Sequence, residues 1–170
     1  IFKEFPLIST DSRKIEINCI FFALKGENFN GNKYAEGALE KGAAYAIIDE
    51  PQYLISKKTI LVANVLQTLK DLANLHRKKL GIPILAITGT NGKTTTKELV
   101  SAVLSQKYNV SFTEGNLNNH IGVPLTLLKM NDDNEFGVVE MGANHPGEIA
   151  ELCIIAEPNF GIITNIGKAH

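Results

Sequence analysis

Lys93 and Thr94 follow a glycine within Gly89-Thr90-Asn91-Gly92-Lys93-Thr94-Thr95, and that spacing suits phosphate binding. Gly89 and Gly92 leave the backbone free to turn its N–H groups inward around an anion. A helix starting at Lys93 adds the favourable field of its positive end. Lys93 supplies a point charge for the outer phosphates, and the Thr94 hydroxyl sits where a Mg²⁺ ligand is needed. The loop is shorter than GxxxxGK[ST], because Ile87 stands where that pattern has its first glycine. A plainer reading of the same residues is a Gly-Lys turn capping a helix through threonine.

Other residues able to do chemistry lie at the ends of apolar runs. Glu140 closes Phe-Gly-Val-Val-Glu and leads into Met141-Gly142-Ala143-Asn144-His145-Pro146-Gly147-Glu148. In an open parallel sheet, ligands sit beyond the carboxyl ends of strands, so Glu140 is the metal candidate, against the alternative of a solvated strand cap. His170 follows another such run; His145 is a weaker candidate, with backbone bonding as its alternative reading, and His76 reads as a boundary residue rather than a ligand. The amide-rich stretch Glu114 to Pro124 contains Asn118, Asn119 and His120. Its asparagines are either turn formers or side chains facing a nucleotide or substrate. Near the start, Asp11-Ser12-Arg13 has two readings: a phosphate clamp by arginine with sugar or base contacts from its neighbours, or an Asp/Ser turn beside a surface arginine.

The elements that must position these groups alternate between strand and helix. Ile20 to Leu24, Tyr45 to Asp49 and Ile60 to Ala63 read as strands, with a short helix over Tyr34 to Lys41 closed by Gly42. Val65 to Leu80 carries Val65, Leu66, Leu69, Leu72, Ala73, Leu75 and Leu80 largely on one helical face, until Gly81 and Pro83 stop it. A domain boundary is expected there, giving units 1–81 and 82–170. Ile84 to Thr88 is the strand before the loop. A helix over Lys93 to Gln106, with Leu99, Val100, Val103 and Leu104 inward, leads to a strand at Asn109 to Thr113, a parallel and right-handed βαβ crossover. A helical stretch from Leu125 to Met130 follows, with Met130 in the core. Strands Phe136 to Glu140 and Phe160 to Thr164 flank a helix over Glu148 to Ile155. The fold class is α/β: a small α/β unit, then an incomplete parallel-sheet domain bearing the phosphate loop.

Composition sets limits on function. With 17 Lys+Arg against 18 Asp+Glu and a formal charge of −1, nothing suggests a nucleic-acid groove or a basic membrane surface. Hydrophobic residues make up 44% of 170, enough for a core, yet no apolar run approaches the roughly 18 residues of a membrane span. Cys19 and Cys153 lack metal spacing and read as buried free thiols, which fits a reducing cytoplasm. The chain starts without methionine and stops soon after a strand pattern, which is read as an excised piece.

Four spaced stretches carry a family resemblance: TGTNGKTTTKE (Thr88 to Glu98), GNLNNHIGVPLTLL (Gly115 to Leu128), VEMGANHPGEI (Val139 to Ile149) and ITNIGKAH (Ile163 to His170). They resemble the ATP-dependent Mur ligases of peptidoglycan synthesis, and with it of cell-wall biogenesis, cell shape and division. TDSR (Thr10 to Arg13) and FFALKGENFNGN (Phe21 to Asn32) are similar to the uridine-nucleotide-binding domain of that family. Asn30-Gly31-Asn32 departs from the Asp-Gly-His of many relatives. The resemblance implies ATP and Mg²⁺ as cofactors, and UDP-MurNAc-tripeptide and D-Ala-D-Ala as substrates joined through an acyl phosphate. It implies Lys93 and the loop from Gly89 to Thr95 at the phosphates, Thr94, Glu140 and His170 at metal, Asn118 and Asn119 on the nucleotide side, and Asp11, Ser12 and Arg13 at UDP. It further implies a carbamylated lysine beyond His170 and a C-terminal domain, so the 170 residues are expected to be monomeric and inactive alone as a ligase. A folate-polyglutamate ligase would share the loop but not the DSR-bearing unit before it. A simple phosphate-loop NTPase or nucleotide-binding module would leave the Asn-rich and EMGANHPGE segments unused.

Overall fold

The computed structural model describes residues 1–167, which fall into two compact units, one of Ile1–Leu69 and one from Lys70 onward. In the first, β1 (Ile8–Ser9), β2 (Ile20–Phe22), β5 (Tyr45–Ile48) and β6 (Thr59–Leu61) form a parallel sheet in the order β1-β2-β5-β6. Phe21 and Phe22 point to opposite faces of β2, and both are buried, so both faces are covered. On one face Cys19, Phe21, Ala46 and Ile48 pack with Ala35 and Ala38 of α1 (Ala35–Glu40). Three short strands went unread in the sequence. One is the two-residue strand β1; the other two are β3 (Lys25–Gly26) and β4 (Phe29–Asn30), which pair as a hairpin. All are shorter than any periodicity can register.

After β4 the chain turns through a 3₁₀ segment, Gly31–Tyr34. Gly31 packs so closely on the preceding chain that a Cβ would lie 2.4 Å from the Leu24 carbonyl oxygen. Asn32 is fully buried. Its amide donates to Asn30 Oδ1 (3.0 Å) and Asp49 Oδ1 (2.9 Å), and its own Oδ1 accepts the Asp49 N–H (2.9 Å).

The helix α2 (Val65–Leu80) runs as its periodicity predicts, except that Leu75 is exposed. The units divide inside it, earlier than the turn at Gly81, because its later residues bond into the second unit. Asn74 Nδ2 donates to the Ile155 carbonyl (3.0 Å) and His76 Nε2 donates to the Met130 carbonyl (2.7 Å). Arg77, buried, donates to the carbonyls of Ala156 (2.9 Å) and Glu157 (3.2 Å) and to Asn159 Oδ1 (2.8 Å).

The second unit is an open parallel sheet of β7 (Ile84–Thr88), β8 (Val110–Phe112), β9 (Phe136–Glu140) and β10 (Phe160–Ile163), in the order β10-β7-β9-β8. Helices α3 (Lys93–Leu104), α4 (Gly122–Lys129) and α5 (Glu148–Ala156) connect the strands. Strand β8 is parallel to β7 but does not pair with it, since β9 lies between them. Leu85, Ile87 and Val138 pack against Val100 and Leu104 of α3. The inward stripe of α3 is therefore Lys97, Val100, Ser101 and Leu104, spaced at i, i+3, i+4 and i+7. Leu99 and Val103 were expected inside and instead lie 64% and 71% exposed on the opposite face. Helix α4 begins at Gly122 rather than Leu125, with Pro124 tolerated in its first turn. Met130 and Cys19 are buried as expected, whereas Cys153 is only half-buried.

Candidate functional site

The loop between β7 and α3 is held by backbone conformation rather than by capping side chains. Gly89 has φ +137° and Gly92 φ +78°, values that glycine adopts without the penalty of a Cβ. Gly92 occupies the N-cap of α3 with no side-chain bond. The first intrahelical bond runs from Thr96 N–H to the Gly92 carbonyl (2.9 Å), leaving the N–H groups of the first turn open for an anion, with the helix field behind them. Lys93 folds back over the loop, its Nζ donating to the carbonyls of Gly89 (2.7 Å) and Thr90 (3.3 Å). Thr94 and Thr95 are exposed on the first turn.

A second strand end braces this loop. The Thr164 hydroxyl, just past β10, donates to the Asn91 carbonyl (2.6 Å), and Asn165 accepts the N–H groups of Thr90 (3.2 Å) and Asn91 (3.0 Å). Thr90 Oγ1 accepts the Gly167 N–H (2.9 Å). Sequence reasoning gave Thr164 and Asn165 no role. A small polar pair after a strand, on the same edge as a phosphate loop, was the signal available.

Glu140 ends β9 beside that loop because the register pairs it with Ile87. It shares a face with Val138 two residues earlier, the face that α3 covers. Its side chain is 2% exposed. Oε1 accepts from Asn118 Nδ2 (2.7 Å) and the Glu140 N–H donates to Thr113 Oγ1 (3.0 Å), while Oε2 is buried with no hydrogen-bond partner. Lys97 Nζ lies 4.0 Å from that oxygen, too far for a hydrogen bond. A buried carboxylate oxygen left without a donor is costly by itself and well suited to a cation. Among the described residues no cluster of three or more His, Cys, Asp or Glu could enclose a metal. Glu140 and the Thr94 hydroxyl are oxygen donors of the kind Mg²⁺ takes beside phosphate and water.

A cleft of about 510 Å³ opens here, lined by Lys93, Asn118, Asn119, His120, Gly142 and His145 among others. Asn118 covers Glu140 from the cleft side, and Gly142 lets it approach, since a Cβ there would lie 3.0 Å from the Asn118 amide carbon. Asn119 lines the cleft, and its Oδ1 accepts from Ile121 (3.0 Å) and Gly122 (2.9 Å) at the start of α4, as a turn former does. His145 pairs with Glu148 rather than with backbone carbonyls: Nδ1 lies 3.1 Å from Oε1. The Glu148 carboxyl is pulled from its ordinary 4.5 to about 2 by the N–H of Asn144, the His145 ring and the His145 N–H. His170 lies outside the described residues.

In the first unit, Arg13 is 86% exposed and forked onto Asp11, with Nε–Oδ1 at 2.9 Å and Nη2–Oδ2 at 2.8 Å. That pairing holds the Asp11 carboxyl well below the usual carboxylate range. The Ser12 carbonyl accepts from Lys41 Nζ (2.8 Å). The three residues stand together past β1, on a sheet edge where ligands of parallel sheets bind.

The second unit thus has the build of a phosphate-loop nucleotide-binding domain, preceded by a small parallel α/β unit. Comparison with known proteins narrows this class. Residues 4–88 match the model described as Mur ligase family, catalytic domain, and residues 87–170 match the Mur ligase middle domain. The chain belongs to the Mur ligase family. It is 44% identical over 165 residues to UDP-N-acetylmuramoyl-tripeptide–D-alanyl-D-alanine ligase of Bacillus subtilis strain 168, covering 96% of this chain and 36% of the relative. The Escherichia coli K12 protein of the same name is 38% identical at the same coverage. Among solved structures, MurF from Acinetobacter baumannii superposes with TM-score 0.89 at 38% identity, covering 96% of this chain and 36% of that one. MurF ligase from Thermotoga maritima in complex with ADP gives 0.87 at 35% identity, covering 96% and 38%. The chain therefore spans little more than a third of the length of these relatives.

Proposed function

We propose that these residues are the nucleotide-sugar and ATP-binding portion of a ligase that joins D-Ala-D-Ala to UDP-MurNAc-tripeptide. The observation that carries this reading is the buried Glu140 Oε2, which no hydrogen bond satisfies, beside a phosphate loop with open N–H groups. The named relatives supply the substrates by analogy. In the reaction, the γ-phosphoryl of ATP passes to the terminal carboxylate of the tripeptide, releasing ADP and forming an acyl phosphate. The amine of D-Ala-D-Ala attacks that carbonyl, loses a proton and expels phosphate as the amide forms. Lys93 leaves the carbonyls of Gly89 and Thr90 for the transferring phosphoryl, and the N–H groups from Gly89 to Thr95 receive the remaining charge. Thr94 and Glu140 would hold Mg²⁺, which would supply neutralisation and alignment of phosphate oxygens. Asn118 and Asn119 orient the nucleotide side, and Asp11, Ser12 and Arg13 hold the UDP group. The free thiols fit a cytoplasmic site of action.

Calorimetry tests this reading with two ligands. Lys93→Met is expected to weaken ADP binding by about 10- to 100-fold, the worth of a charged hydrogen bond, and to leave UDP-MurNAc-tripeptide binding unchanged. Arg13→Ala is expected to do the reverse. If both folded variants bind both ligands as the unsubstituted protein does, the proposal is wrong.

A further inference from the structure

Lys97 is an anomaly in the packing of α3. It occupies the inward stripe together with Val100, Ser101 and Leu104, and its side chain is 1% exposed. Its ammonium donates to the Thr113 carbonyl (2.7 Å), pairs with Glu98 Oε1 (3.0 Å), lies 5.9 Å from the centre of the Phe112 ring and 4.0 Å from Glu140 Oε2. Glu98 is 57% exposed and solvated, so the only buried negative charge recorded beside this cation, among the described residues, is Glu140. A buried charge persists only where another compensates it. Lys97 and Glu140 are thus a buried pair of opposite charges behind Asn118, which lines the cleft and bonds Glu140.

Resting on the assignment of Glu140 as the metal carboxylate, we infer that Lys97 is a positioning residue that makes metal loading depend on the nucleotide. A divalent cation approaching the empty cleft meets a carboxylate whose charge is already matched by an ammonium close behind it, and is held weakly. When a nucleotide lies on the loop, its phosphates bring negative charge that Lys97 does not cancel. Glu140 would then hold a cation whose charge the phosphates offset, while Lys97 keeps its bonds to Thr113 and Glu98. Loading a cation in the absence of nucleotide would put two positive groups about one carboxylate, and the repulsion is strong over such short separations in a poorly solvated site.

The test uses Mn²⁺ as the probe, titrated by electron paramagnetic resonance with and without ADP. Lys97→Met removes the charge, and Lys97→Gln removes it while keeping a donor for the Thr113 carbonyl. Both are expected to bind Mn²⁺ without nucleotide about tenfold more tightly than the unsubstituted protein, and so to narrow the gain that ADP produces. A residue that merely fills space has no means of tightening metal binding when removed. Glu140→Gln is expected to lose Mn²⁺ with and without ADP. If Glu140→Gln loses the metal but neither Lys97 variant tightens it, or if neither Lys97 variant folds, Lys97 is only structural and the inference is overturned. If Glu140→Gln binds Mn²⁺ with ADP normally, the metal assignment itself is overturned and the inference goes with it.

Discussion

Gly89→Ala is the substitution whose cost can best be worked out from the structure. Gly89 has φ +137°, and an L residue held at positive φ costs about 1–2 kcal/mol. Its new methyl would also lie 2.1 Å from Thr164 Oγ1 and 3.0 Å from the backbone N and O of Asn165. Overpacking of that kind costs about 1–3 kcal/mol, so the total comes to roughly 2–5 kcal/mol. Gly92→Ala is the control, because Gly92 shares the positive φ but a Cβ there meets nothing within 4 Å. Urea unfolding should place Gly89→Ala below Gly92→Ala by about 1–3 kcal/mol, the overpacking part alone. Thr164→Ala removes the nearest obstacle and forfeits one hydrogen bond to Asn91, worth about 1 kcal/mol. The double variant should therefore be more stable than the sum of the single costs allows, with a coupling on the order of 1 kcal/mol. Hydrogen exchange at the Asn91 and Gly167 amides would locate the damage at the brace. Equal costs for the two glycine variants, or simple additivity with Thr164→Ala, would refute the claim that Gly89 is required by close approach.

Two further predictions concern the second unit. Arg77→Met leaves the Ala156 and Glu157 carbonyls without their donor and is expected to cost about 2–3 kcal/mol in urea unfolding; a cost within experimental error would show that water replaces the guanidinium freely. The depressed Glu148 carboxyl fixes a pH dependence: its anchorage of Asn144 and His145 is complete above about 4.5 and is lost as pH falls through about 2. Nuclear magnetic resonance of the two amides should show a midpoint near the lower value, and a midpoint near 4.5 would mean that the turn is not formed.

Long periodic elements were legible in the sequence. Val65–Leu80, Ile84–Thr88 and Phe136–Glu140 carry their own bounds, because apolar spacing, Gly81 and Pro83 mark where each must stop or start. The placement of the glycine loop between β7 and α3, and of Glu140 at the end of β9, was legible as well, since an apolar run leads into each. What escaped was set by tertiary partners. Leu99 and Val103 are as apolar as Val100, and only the packing of Leu85, Ile87 and Val138 decides which face of α3 turns inward. Lys97 was hidden by the same choice: on the true inward stripe it is a buried cation, on the expected one a surface lysine. Asn32 reads as a loop residue, and its burial depends on Asp49, a partner 17 positions away.

The meeting of loop and carboxylate is a consequence of strand order. From β7 the chain passes over β9 to β8, and from β9 it passes over β7 to β10. Connections leave these two neighbours in opposite directions, which opens a crevice between them at their carboxyl ends. The register Ile87↔Glu140 then sets the carboxylate level with the start of the loop, and Ile163↔Thr88 brings Thr164 and Asn165 to the loop's other side. A slip of one residue in β9 would turn Glu140 to the opposite face, away from Lys97 and α3. A slip of two would keep the face but move it about 7 Å along the strand, beyond reach of Asn118 and the loop. Two features oppose such slips. Gly137 has no room for a Cβ, which would meet Ile84 Cδ1 at 2.4 Å, and the Glu140 N–H is fixed by the Thr113 hydroxyl. Register, more than any single side chain, is what sets the open amides of the loop and a buried carboxylate side by side.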